Sequence, residues 1–314
     1  MKRIILFLLP VLLLGNVKAQ DIKTVASSLD KAREEVPADT AKHHWKFGGF
    51  GSLTINQAAY SNWAAGGTNS IGATGMLNLR LRYSKNRHSW SNILDAAYGF
   101  QLLGASSNAK YNKTDDKIEF TTAYSYEIHK NKKWYLTVLV NFRSQFSNGY
   151  NYPNDSVSIS KFMAPGYVVA GIGITYRPAT FFTLYVSPSS GRFTFVLDDT
   201  LSKQGAFGVE KGKKIRGEFG PYVRADLNKD LAKNINLGSS LELFTNYLKG
   251  FGNIDVNWNV LFTLKVNKWL ATVVNFQVIY DDDVLIQTNP PEPASGPRTQ
   301  FKETIGVGLS YKFH

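Results

Sequence analysis

The chain has 314 residues, a formal net charge of +12, 43% hydrophobic residues and no cysteine. Without cysteine there are no disulfides, thiolate metal ligands, cysteine nucleophiles or lipid-attachment cysteine. The basic balance alone is compatible with nucleic acid, but the export signal that opens the chain removes it from that partner, so no nucleic-acid partner is expected.

MKRIILFLLPVLLLGNVKAQ has the parts of a secretory signal peptide over residues 1–19. Lys2 and Arg3 give the positive start, Ile4 to Leu14 the apolar run, and Val17-Lys18-Ala19 a small-residue cleavage site, so that the mature chain begins at Gln20. The apolar run is shorter than the ~18 residues a spanning helix needs and is broken by Pro10. Residues 20–44 read as a polar periplasmic leader, in which Ser27 to Val36 has the signals of a short helix capped by Ser28.

From Trp45 to the end, residues 45–314, the pattern is two-residue alternation. Ile71, Ala73, Leu77, Leu79, Leu81 and Tyr83 share one face, and Thr74, Asn78, Arg80 and Arg82 the other. Ile118, Phe120, Thr122 and Tyr124 oppose Lys117, Glu119, Thr121 and Ser125. Leu136, Val138 and Val140 oppose Thr137, Asn141 and Arg143, and Ile215, Phe219 and Val223 oppose Arg216, Glu218 and Arg224. Period two on this scale predicts strands with one apolar and one polar face.

The predicted strands are 45–55, 70–83, 90–103, 116–128, 134–146, 165–176, 181–187, 214–227, 235–247, 254–266, 270–280 and 300–313. Most match or exceed the ~9–11 residues a tilted strand needs to cross a bilayer. The expected fold is therefore an all-β transmembrane antiparallel barrel of about twelve strands, with fourteen as an alternative because GRFTFVLDD (Gly191 to Asp199) reads either as a prolongation of 181–187 or as a separate hairpin. Pro221, in mid-strand, predicts a bulge.

Connections alternate short and long. SKNRH, HKNKK, RPAT, NKDLAKN and NKW are brief and mostly basic; between them lie long loops near 58–69, 104–115, 147–164, 188–213 and 281–299. Short periplasmic turns and long external loops are what a membrane barrel shows. Trp45, Tyr83, Trp90, Trp134, Tyr176, Trp269 and Tyr311 fall beside the short turns as one interfacial girdle. Phe100, Phe120, Phe146, Tyr167, Tyr247, Tyr280 and Phe301 are expected at the opposite ends. The terminal TIGVGLSYKFH places its odd-numbered residues toward lipid. Its Gly308, Tyr311 and Phe313 resemble the C-terminal signal read by outer-membrane assembly machinery, with His314 displacing the usual final aromatic.

Several phrases, NWAAGGTNS (62–70), FMAPGYVVAGIGITYRP (162–178), SPSSGRFTFVLD (187–198), FGVEKGKKIRGEFG (207–220) and IDVNW (254–258), resemble a family of uncharacterised outer-membrane barrels of Bacteroidota-type bacteria, catalogued as a domain of unknown function. The resemblance implies a membrane barrel and carries no activity, cofactor or site residue.

A search for chemistry supports no enzyme. The histidines are His43 and His44 before the first strand, His88 and His129 in basic turns, and His314 at the terminus. That leaves no imidazole on a strand body or external loop for Ser–His catalysis. GAFGVEKGKK (205–214) lacks the strand–loop–helix setting of a phosphate loop and reads as a turn-rich loop. No cofactor is expected.

Two charged sets remain. Arg80, Arg82, Lys117, Arg143, Arg216, Arg224, Lys265 and Lys302 share the predicted lumen with Asp95, Glu119, Glu127, Glu218, Asp226, Glu242 and Asp255. Lipid alone forces that sorting, since an outward Arg or Lys at the midplane costs ~2–4 kcal/mol; the consequence is either a salt-bridge ladder filling the interior or a pore of weak anion preference. Asp198, Asp199, Asp281, Asp282 and Asp283 at the outer rim are weak Ca²⁺ or Mg²⁺ candidates, with solvated loop acids as the plainer reading.

The expectation is a monomeric barrel of the cell outer membrane, in contact with its lipid and lipopolysaccharide and inserted by the assembly machinery. Its role is a narrow passive channel or small-solute transporter. The alternative is a closed structural or surface-binding barrel acting through its external loops, and a minor third reading is a soluble periplasmic β-protein.

Overall fold

The structure, a computed structural model, describes residues 44–59, 68–104, 109–267, 269–286 and 296–313. The predicted signal segment, the leader helix at 27–36, most of NWAAGGTNS and His314 lie outside these residues.

Twelve long strands form the wall: β1 (Trp45–Ala58), β2 (Ser70–Lys85), β3 (His88–Leu103), β4 (Lys110–Glu127), β5 (Trp134–Ser144), β6 (Gly166–Ala179), β7 (Phe182–Phe195), β8 (Ile215–Ala232), β9 (Ile235–Phe244), β10 (Asp255–Lys265), β11 (Leu270–Tyr280) and β12 (Gln300–Phe313). Each pairs with its chain neighbours, and β12 returns to β1 to close an antiparallel barrel. Closure gives the wall its hydrogen bonds without a helix layer or a second sheet, and it removes free edges wherever the ladder is complete.

Alternation decides the faces. Thr137 is 2% exposed and its neighbour Val138 45% exposed, so the inward face is polar and packed while the outward face is apolar and bare. This inverts the rule for water-soluble sheets, where apolar side chains go inside. Odd-numbered residues of β12 point outward as the alternation predicts: Ile305, Val307, Leu309 and Tyr311 are all exposed.

The turns sort by end. At one end β2 and β3 are joined by Asn86-Arg87 alone, with Asn86 in the left-handed region at φ 53°. The β8–β9 turn shrinks to 233–234, because NKDLA belongs to β8 rather than to the turn. At this short-turn end Trp45, Tyr83, Trp90 and Tyr124 lie in one cross-strand row, with Trp45 5.1 Å from Tyr83 and 5.7 Å from Trp90, ring to ring. Trp134 packs on Tyr176 at 4.3 Å, and Trp269 and Tyr311 are exposed nearby in sequence to the same end. At the long-loop end Phe219, Tyr247 and Phe251 make a second aromatic row.

Three expectations are settled. First, GRFTF prolongs the 181–187 strand, as the twelve-strand reading has it, and is not a separate hairpin: it is the second half of β7, so the barrel has twelve strands and not fourteen. The sequence hid this because the phase slips at Pro188-Ser189, where both residues face outward; before them Tyr185 and Ser187 are buried, after them Ser190, Arg192 and Thr194. The Ser187 hydroxyl, donating to the Ile172 carbonyl at 2.8 Å, pins this bulge. Opposite it, the ladder skips Pro221, which has no N–H to offer, as expected for a bulged strand. Secondly, β4 begins at Lys110, six residues before the expected start. Thirdly, Tyr167 faces the lumen, not an outer girdle: its register partner is the fully buried Thr194.

Closure is shortest where the chain ends meet. The β1–β2 ladder runs the whole strand from Trp45–Tyr83 to Ala58–Ser70, whereas β1–β12 runs only from Gly49–Phe313 to Thr54–Gly308. Gly308 is required there: a Cβ on it would strike the Leu53 carbonyl and Thr54 Cα, whereas one on Gly75 would meet only the Tyr98 carbonyl at 3.9 Å. Gly308→Ala is therefore expected to destabilise the folded barrel by about 1–3 kcal/mol, read as a smaller fraction keeping folded mobility in unboiled detergent gels. Gly75→Ala is expected to leave that fraction unchanged, and equal behaviour of the two would refute the seam geometry.

Candidate functional site

The lumen is crossed by charge. Arg224 on β8 is the hub: its Nη1 lies 2.8 Å from Glu242 Oε1 and 3.8 Å from Glu119 Oε1, and its Nε 3.0 Å from Asp226 Oδ2. Arg143 reaches Glu242 at 3.4 Å, and Lys117 reaches Glu119 at 2.7 Å. Asn141 donates to Glu119 at 2.8 Å and Asn257 to Glu242 at 3.1 Å. Glu119 lies on β4 and Arg224 on β8; Arg143 lies on β5 and Glu242 on β9. Three strands separate each pair along the wall, so these contacts are chords through the interior, not ladder neighbours.

Nearer the long-loop end is a second tier. Arg192 grips Glu218 bidentately, at 2.9 Å through Nε and 2.7 Å through Nη2, and its Nη1 lies 2.5 Å from Asp255 and 3.7 Å from Asp281. Arg216 joins Glu218 at 2.9 Å and Asp283 at 3.3 Å. A fork matching a carboxylate is the geometry in which arginine pairs most strongly. Lys302 on β12 bonds Asp115 on β4 at 2.6 Å, a further chord.

Apolar packing reinforces the block. Leu139, Val169, Tyr185, Tyr222 and Phe244 form a buried cluster on the lumen side of β5 to β9, and the Arg192 guanidinium stacks 4.4 Å above Phe244. The other lumen wall differs. Arg80 and Arg82 are exposed toward the short-turn end; Arg80 Nε donates to Asn78 at 2.8 Å, and Asn78 in turn donates to Asp95. Arg177 stacks 4.5 Å over Tyr135 and donates to Ser125 at 3.3 Å, and Lys46 sits opposite Arg82. This end of the lumen is a vestibule in which these four bases stand with the inward acids Asp95, Glu127 and Asp230.

Of the nine lumen candidates, Lys117, Glu119, Arg143, Arg216, Glu218, Arg224 and Glu242 lie in the two tiers, and Arg80 and Arg82 in the vestibule. Sequence reasoning missed Arg192, which continuing the alternation across the Pro188-Ser189 bulge would have found. It also missed Arg177, assigned to a turn, and the inward aromatics Tyr222 and Phe244.

The rim aspartates have cationic or capping partners. Asp281 and Asp283 face Arg192 and Arg216, and Asp282 accepts from Asn253 at 2.6 Å. Asp199 pairs with Lys214 at 2.7 Å. Among the described residues no group of three or more histidines and carboxylates is placed to hold a metal. Asp198 caps a short helix, α1 (Asp199–Gln204), where the sequence predicted only loop. Its carboxylate accepts from Lys161 at 2.6 Å and from the Thr200 and Leu201 amides at 3.0 Å. Beneath α1, Ala164, Val196, Leu201 and Val209 make a small buried core, so the 145–165 and 196–214 loops form a packed cap.

Against known proteins, the model of a family described as "Protein of unknown function (DUF3078)" matches residues 55–150. No curated protein matches the sequence. Similar solved structures include an outer membrane channel from Pseudomonas putida F1, at 11% identity and TM-score 0.38 over 89% of this chain and 100% of that one. The NanC porin is similar at 6% identity and TM-score 0.38, over 83% and 98%. The translocator domain of autotransporter NalP from Neisseria meningitidis is similar at 9% identity and TM-score 0.34, over 88% and 91%. Likeness of this degree carries no argument about function.

Removing one partner of a buried ion pair leaves an uncompensated charge, at about 3–5 kcal/mol. Glu242→Ala takes from Arg143 its ion pair and from Arg224 the shortest of its three, and is expected to lower stability by that amount in urea unfolding of the vesicle-folded barrel, whereas exchange of the exposed Glu210 should have no measurable effect. In the cap, the Lys161 hydrogen bond and then the Leu201 amide hold the Asp198 carboxyl below the usual carboxylate range. A lowered folded-state pKa stabilises above the unfolded value of ~3.9 and is lost as pH falls through the folded value. Proteolysis of the 196–214 loop should therefore rise below about pH 4 in the wild type and already be elevated at neutral pH in Asp198→Asn.

Proposed function

We propose that the protein is an outer-membrane barrel acting as a narrow, constricted passive conduit for small solutes. The observation that carries this reading is the pair of ionic chords, Arg143–Glu242 and Arg224–Glu119, across the lumen of a barrel whose wall is apolar outward. The outward belt runs round the wall through residues such as Leu136, Val138, Phe193, Trp258 and Leu309. A soluble monomer rarely exposes a contiguous apolar patch beyond a few hundred Å²; hydrocarbon, bordered by the aromatic rows, is the surrounding that this surface fits. Placement in the outer membrane with short turns periplasmic, export through the signal at 1–19, a mature start at Gln20, and a monomer in contact with lipid and lipopolysaccharide belong to the same proposal. No catalytic step is assigned.

Ions approaching from the short-turn end meet Arg80, Arg82, Arg177 and Lys46 before the constriction, which favours anions. The chords are side-chain contacts and not backbone, so they yield by rotamer change without breaking the wall. A closed barrel acting through its loops is the second reading, favoured by the packed cap around Leu201 and Val209.

Planar-bilayer recording separates the two. The conduit should show small discrete openings, several-fold larger in Glu119→Gln/Glu242→Gln and with the anion preference reduced in Arg80→Gln/Arg82→Gln. A folded barrel silent in the wild type and in the loosened variant would instead establish the closed reading. N-terminal sequencing of the exported protein should return Gln20.

A further inference from the structure

The β1–β12 ladder ends at Thr54–Gly308, yet both strands continue: β1 to Ala58, paired only to β2, and β12 up to Gln300, paired only to β11. Had the register been kept, Ile55 would face Val307, Asn56 Gly306 and Gln57 Ile305. The backbone ladder therefore splits at its seam, on the long-loop side of the last pair, where the Thr54 side chain reaches over to Gly306. This is still within the apolar belt, since Ile55, Ile305 and Val307 face outward there and Ile305 is 63% exposed. Open strand edges do not occur in hydrocarbon unless they are buried in protein or line a water-filled cavity. A cavity of about 370 Å³ lies at this place, within the range of about 300–1,000 Å³ typical of small-ligand sites. Its lining passes through the wall: Ile55, Glu303, Ile305 and Val307 on the outer side, Asn56, Asp115 and Lys302 on the lumen side.

We propose that the split is a lateral portal, through which small molecules with an apolar body and one polar end pass between the outer hydrocarbon layer and the lumen. Its two faces fit the two ends of such a molecule. On the outer lips Ile55, Ile305 and Val307 continue the lipid surface up to the exposed carboxylate of Glu303, and the Lys302–Asp115 pair, at 2.6 Å, offers a charged anchor inside. The route enters the lumen beside β1 to β4, away from the Arg192 tier and the aromatic cluster on β5 to β9, so it does not require the constriction to open. It rests on the membrane placement proposed above and not on conduction through the lumen.

The absence of cysteine makes a direct test clean. Asn56→Cys puts a thiol inside the split, and Ser52→Cys puts one on the same lumen face beneath the closed ladder, where Ser52 pairs with Ser310. Both variants are folded into vesicles, checked by flotation and by folded gel mobility, and treated with membrane-dissolved N-(1-pyrenyl)maleimide while external glutathione scavenges reagent from water. The portal predicts labelling at position 56 at least tenfold faster than at 52, with decanoate protecting position 56 and acetate at the same concentration not. Equal or absent labelling at 56 would overturn the portal, as would quantitative disulfide formation in Gln57→Cys/Ile305→Cys, which would mean that the ladder continues in the membrane. Protection by both acids or by neither would overturn the assignment of solute class. Failure to float would instead count against the membrane placement itself.

Discussion

A barrel wall is held together by backbone pairing that must return to its own beginning, and most of this structure follows from that closure. Once β12 meets β1, every strand has two partners, the wall needs no covering layer, and its outer surface is free to be apolar. The inner surface then takes the charged side chains of the mid-strand positions, because outward placement is costly wherever hydrocarbon is the surrounding, and the outward Glu303 lies toward the long-loop end. A ring of twelve strands is narrow enough for arginines from one wall to reach carboxylates on another. Closure thus converts a sorting rule into a network.

The network is uneven, and the unevenness has a physical cause. On β5 to β9 the chain supplies arginines, glutamates and inward aromatics in register, so charge is neutralised locally and the space fills. A guanidinium stacked on Phe244 and forked to Glu218 combines both effects at one residue, Arg192. On β1 to β3 the inward positions mix small or polar residues such as Ser52, Thr54, Gly72 and Thr74 with Phe50, Met76 and Ile93. Ion pairs and aromatics thus crowd the β5 to β9 wall, and the incomplete seam lies on the other side. Glycine serves that seam twice: at Gly308 its missing side chain admits the Leu53 carbonyl, and at Gly306 it leaves room for the Thr54 side chain, although the backbone pairing has ended.

Outside the wall, the cap behaves as an ordinary soluble fold. Leu201 and Val209 bury against Val196, an aspartate caps a short helix, and lysines neutralise the exposed acids. Two solvation regimes thus meet in one chain at the long-loop end. The rim acids there are divided among arginine and lysine, backbone amides and, at Asp282, the Asn253 side chain.

The sequence by itself determined the architecture: strand number to within one ambiguous hairpin, the identity of the two faces, the ends at which turns are short, and the bulge at Pro221. These are local properties, because a period of two and a turn signal are written in consecutive residues. It also named most of the charged lumen residues, since facing inward depends only on phase. Phase fails where the chain slips, as at Pro188-Ser189, and Arg192 was lost for that reason. Which charges meet was decided by the tertiary structure alone. Arg143 and Glu242 are ninety-nine positions apart, and their contact depends on barrel diameter and strand stagger, which no local pattern encodes. The end of the β1–β12 ladder is likewise a matter of how the last strand arrives at the first, a closure settled by the whole ring and by neither strand alone.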